Sequence, residues 1–132
     1  MFGRKWLFAP WTDRLKGFHI NVLELFAIVA AVCTWGDEWH DQQILIFTDN
    51  QAITHVWRSG TSVDRDIMKL VRFMFLYTAR RNINILLQHI PGQFNAAADA
   101  LSRLQVGRFA RLCPHSLVRP SLISPEVWLA LT

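Results

Sequence analysis

Residues 44–50 read Ile-Leu-Ile-Phe-Thr-Asp-Asn, four apolar side chains in a row followed by a hydroxyl, a carboxylate and an amide. A continuous apolar run of this length is the pattern of a parallel strand buried on both faces. It is bounded by polar chain on both sides, the loop Gly36 to Gln43 before it and Thr48-Asp49-Asn50 at its end. Upstream, Asn21 to Trp35 is apolar almost throughout and too long for a strand, so it reads as a buried helix with Asn21 as its N-cap. Downstream, Gln51 to Arg58 reads as a short helix stopped by Gly60. Val63 to Arg81, capped by Thr61 or Ser62, reads as a longer one with Ile67, Leu70, Val71, Met74 and Tyr77 on its apolar face. Asp64 and Asp66 at its start and Arg80 and Arg81 at its end suit the helix dipole.

Ile83 to Ile90 reads as a second strand, broken by Pro91-Gly92, and Asn95 to Arg103 as a last helix with Asn95 as cap. Trp6 to Ala9 is a candidate edge strand before the polar loop Thr12 to Gly17. Strands separated by helices imply right-handed crossovers, hence an α/β architecture with a largely parallel sheet and helices on its faces. Residues 105–132, interrupted by Pro114, Pro120 and Pro125, read as an appended tail.

Composition supports one ordered domain. Of 132 residues, 52% are hydrophobic and 18% charged, with six Trp and nine Phe, which excludes a disordered chain. The stretch Val22 to Trp35, broken by Glu24 and Thr34, is expected to fall short of a membrane span, so no membrane partner is expected. Met1 to Pro10 is too short for a secretory signal. Cys33 and Cys113 lack metal-type spacing and read as thiols of a reducing, intracellular compartment, cytoplasm or nucleus. A net charge of +4 favours a polyanionic partner.

Three acids stand where apolar packing alone would not put them. Glu24 interrupts an apolar helix, and a buried carboxylate must be paired, protonated or on a metal; the alternative is a solvent-facing Glu near the helix start. Asp49 closes the strand, where ligand sites of open α/β sheets lie; the alternative is an N-cap for the next helix. Asp99 is the single polar group on a turn that holds Ala96, Ala97 and Ala98. Together they could meet on one or two hard cations, since Mg²⁺ takes oxygen ligands.

The blocks His19 to Leu25 (HINVLEL), Thr48-Asp49-Asn50 (TDN) and His89 to Arg103 (HIPGQFNAAADALSR) are similar, in this order, to those of the ribonuclease H domain of retrotransposon reverse transcriptases. The last block most resembles the gypsy-like and DIRS-like versions. The resemblance covers residues 19 to 103 and implies an RNase H-like mixed sheet with helices on both faces, within a domain over 1–104. It implies that Glu24, Asp49 and Asp99 are catalytic metal ligands and that Mg²⁺ is the cofactor. The implied substrate is an RNA:DNA hybrid, cut endonucleolytically to leave a 3′-hydroxyl. The upstream polymerase segment of a polyprotein is an implied partner. Asn50 and Asn95 would touch the ligand sphere or the substrate strand, with plain capping an equal alternative, and Arg58 would contact phosphate.

The family's first ligand is an Asp on the opening strand. The only acid before Glu24 is Asp13, in a loop with no strand before it, so the opening strand is expected to be missing and the chain to be inactive. Gly92 stands where cellular relatives carry a mobile His, and His89 reads as structural. Asp37, Glu38, His40 and Asp41 read as a solvated loop rather than a metal site. Most other cations, including Lys69, Arg72, Arg80 and Arg81, read as wet helix faces. Trp57, Phe73 and Phe75 read as core rather than as base-stacking rings. Two rivals remain: a non-catalytic module of the same fold that binds nucleic acid or a polyprotein segment, and a transposase or integrase, which the order of the acids disfavours.

Overall fold

The computed structural model describes residues 17–91. The candidate strand Trp6 to Ala9, Asp13, Asn95, Asp99, Cys113 and the tail 105–132 lie outside the described residues. Within them the chain is mixed α/β: helix α1 (Ile20–Trp35), a 3₁₀ turn (Gly36–Glu38), strand β1 (Gln43–Thr48), helix α2 (Gln51–Ser59), helix α3 (Arg65–Arg80) and strand β2 (Asn84–His89). The strands pair in parallel from Gln43↔Asn84 to Thr48↔His89.

The helix ends correct two expectations. His19, not Asn21, caps α1, its Nδ1 accepting from the Asn21 N–H at 3.1 Å. Asp64, not Thr61 or Ser62, caps α3: Oδ1 accepts from the Asp66 and Ile67 N–H groups at 2.8 and 3.0 Å. A carboxylate at the positive end of a helix combines capping with dipole stabilisation, which a hydroxyl does less well. The stop after α2 is as read: Gly60 adopts φ 73°, the left-handed C-terminal geometry, and its N–H bonds Val56 C=O.

α1 forms the core with α3. Val22, Leu25, Val29 and Val32 are fully buried, as are Leu70 and Met74 of α3, and Ile85 and Leu87 add the sheet's inner face. The stretch Ile20–Glu38 reaches 19 residues at a mean hydropathy of 1.5, long and apolar enough to cross a membrane by composition, contrary to expectation. In the fold it is a core helix, 56% buried over that window. At its far end Tyr77 locks α3 to α1. The Tyr77 hydroxyl donates to Cys33 C=O (3.2 Å), its ring lies against Gly36, and the Arg81 guanidinium sits 3.6 Å over the ring while Nε reaches Asp37.

The two-faced burial expected for residues 44–47 does not hold among the described residues. Ile44 and Ile46 pack against the core, whereas Leu45 and Phe47, with Leu86 beside them, are 44–49% exposed. The described helices cover one face of a two-stranded sheet, so a period of two reappears where the apolar run concealed it.

Two glycines separate steric from backbone constraint. A Cβ on Gly36 would come 2.5 Å from Tyr77 Cε1, so Gly36→Ala is expected to cost about 1–3 kcal/mol in urea unfolding by forcing the ring aside. Gly60 has open space around it but a left-handed φ. Gly60→Ala should cost about 1 kcal/mol, with Gly60→Asn recovering most of it.

Candidate functional site

The site lies where the N-terminal end of α1 meets the carboxyl end of β1. Glu24 sits one turn into α1, three residues after Asn21, so the two side chains share a helix face. At the strand end the Thr48 hydroxyl accepts from the Asn50 N–H (3.1 Å), which turns the chain out of the sheet and into α2. Asp49, at the crest of this turn, is exposed.

Asn50 joins the pieces. Its Oδ1 accepts from the Ile53 N–H at 3.1 Å and caps α2. Its Nδ2 donates to Glu24 Oε2 at 2.7 Å and to Asn21 Oδ1 at 2.8 Å. One amide therefore uses its acceptor within α2 and both donors on α1, a pattern available only to a side chain carrying both kinds of group. The bond to Glu24 has the short length of a charge-assisted hydrogen bond.

These contacts decide between the alternatives for two acids. Glu24 is half-buried and hydrogen-bonded rather than a free surface carboxylate. Asp49 is not the α2 cap, because Asn50 holds that position. Adjacent in sequence to Asn50, Asp49 lies at the same end of the sheet as Glu24. Asp99 and Asn95, expected beside them, fall outside the described residues. Asn21 was missed as a site residue: read as a cap, it is a buttress for Asn50, and its i, i+3 spacing from Glu24 was the available signal.

Glu24 and Asp49 are hard oxygen donors of the type Mg²⁺ takes. Among the described residues no group of three His, Cys, Asp or Glu side chains is placed to hold a metal ion. The acids of the 37–41 loop are exposed, with Asp37 engaged by Arg81, and form no such group. Arg58 is not gathered with the carboxylates: seven residues beyond Gln51, it stands about 10 Å along α2, beside the β2 edge. Of the aromatic residues, Phe73 packs partly into the core and Trp57 is half-buried, but Phe75 is 62% exposed, against its reading as core.

No protein-family model matches the chain, nor does any curated protein or solved structure.

The two roles of Asn50 can be separated by substitution. Asn50→Ala removes cap and donors together and is expected to cost about 2–3 kcal/mol. Asn50→Asp keeps the cap but sets a carboxylate against Glu24. Glu24→Gln should relieve that loss, giving a coupling of about 1 kcal/mol or more in a double-mutant unfolding cycle; strict additivity would mean that the Asn50–Glu24 contact carries no energy.

Proposed function

We propose that this chain is a ribonuclease H-like domain of a retroelement reverse transcriptase. The family's reaction is Mg²⁺-dependent endonucleolytic hydrolysis of RNA in an RNA:DNA hybrid. The observation that carries the reading is the 2.7 Å bond from Asn50 to Glu24, which links a helix carboxylate to the strand end bearing Asp49. The order α1, β1, α2, α3, β2 with parallel strands supports it. So do the three sequence blocks that end with Asp99.

In this reading Glu24, Asp49 and Asp99 hold the ion, and Asn50 fixes the Glu24 carboxylate so that it need not reorganise on binding. Bound Mg²⁺ supplies stabilisation of the attacking and leaving oxygens of the phosphodiester. The family uses four carboxylates and this chain presents three in the matching blocks, so cleavage by the chain itself should remain near background. If it does, the domain serves as a nucleic-acid-binding module, for which the net charge of +4 is suited.

Two measurements test this. Mn²⁺, a paramagnetic stand-in for Mg²⁺, should broaden the amide signals of Glu24, Asp49 and Asp99 together at low stoichiometry; broadening at none of them would overturn the reading. With an RNA:DNA hybrid and Mg²⁺, binding without appreciable cleavage is expected. Robust cleavage abolished by Asp49→Asn would keep the family and refute the inactivity.

A further inference from the structure

Among the described residues β2 is paired on one side only. The bonds from Asn84 N–H to Gln42 C=O (3.0 Å) and from Ile90 N–H to Thr48 C=O (2.9 Å) show which residues turn toward β1: Asn84, Leu86, Gln88 and Ile90. Alternation directs the main-chain groups of Ile85, Leu87 and His89 to the opposite edge. Trp57 takes one of these acceptors, its Nε1 donating to Ile85 C=O at 2.8 Å. Leu87 and His89 are left as ladder positions.

Two adjoining hollows border β2, the second reaching Leu45 of β1 on the outer face. One, of about 910 Å³, is walled by Trp57, Val71, Phe75 and Leu76. The other, of about 530 Å³, is bordered by Gln51, His55, Gln88 and His89. Thr54, Arg58, Leu86 and Leu87 border both, so the hollows form one trough. Phe75 and Leu76 are more than half exposed. Arg58 and Arg72 line the trough, and no Asp or Glu among the described residues does.

We propose that this trough binds an extended acidic peptide of a partner protein, added as a further strand to the β2 edge. Its backbone would pair with Leu87 and His89, its apolar side chains would cover Phe75 and Leu76, and its carboxylates would meet Arg58 and Arg72. Strand addition draws affinity from main-chain bonds and from pockets for alternate side chains, both of which the trough offers. Ion pairs at exposed arginines add little energy, but they select the sign of the partner, since a basic peptide would meet like charge. A nucleic-acid strand would use the arginines and the Phe75 ring but leave Leu76 and the ladder groups unused, so the peptide is favoured.

The probe is a labelled peptide of alternating valine and glutamate, titrated into the full chain by fluorescence anisotropy. Saturable binding is expected, with the Leu87 and His89 amides gaining protection from hydrogen exchange. N-methylation of alternate peptide nitrogens in the probe should weaken binding about tenfold or more, as should replacing glutamate by lysine. The double variant Arg58→Glu with Arg72→Glu should do the same, and the N-methylated probe keeps the test valid if that variant fails to fold. Absence of saturable binding, or indifference to N-methylation, would overturn the proposal. So would displacement of the peptide by poly-dT, or amide protection in the free chain that disappears on deleting residues 105–132, which would assign the trough to nucleic acid or to the chain's own tail.

Discussion

The structure depends on the burial of one apolar helix. α1 gives up nearly all the water contact of Val22, Leu25, Val29 and Val32 to the core it forms with α3 and the sheet. Each such side chain contributes about 1.5–3 kcal/mol relative to exposure. That burial fixes the rotation of α1 about its axis, and the rotation decides which way Asn21 and Glu24 point. At the opposite end of the same helix it brings Gly36 under the Tyr77 ring, where only a residue without Cβ fits. The packing that stabilises the fold therefore also aims the carboxylate.

At the other pole, Asn50 turns a packing arrangement into a polar one. The strand end and the start of α2 would leave orphan N–H groups, and the half-buried Glu24 would need a partner. The Asn50 amide answers both needs within one residue: Oδ1 goes to the helix and Nδ2 to α1. Ser or Asp at this position would satisfy the cap alone. Two structural roles coincide here, because the group that caps α2 also holds the Glu24 carboxylate.

The sheet shows a different balance. Its inner face is packed, while Leu45, Phe47 and Leu86 on the outer face are exposed and β2 is paired with a strand on one side only among the described residues. Apolar surface and unpaired strand edge together favour association. The arginines beside the β2 edge give that association a preferred charge.

The amino-acid sequence by itself determined the kind and order of the helices and strands among the described residues. The 3.6-residue spacing of Ile67, Leu70, Val71, Met74 and Tyr77 placed the buried face of α3, and Gly60 marked the end of α2, because both signals are local. Helix caps were less legible: His19 and Asn21, or Ser62 and Asp64, are neighbouring candidates of similar chemistry, and only backbone geometry chose between them. The run Ile44 to Phe47 could not disclose its faces, since an apolar residue looks the same in sequence whether packed or exposed. The Asn50 contact to Glu24 spans 26 residues and was beyond any local rule. Tertiary structure alone decided it, because the direction of a polar side chain is set by the packing of the helices and strands that carry it.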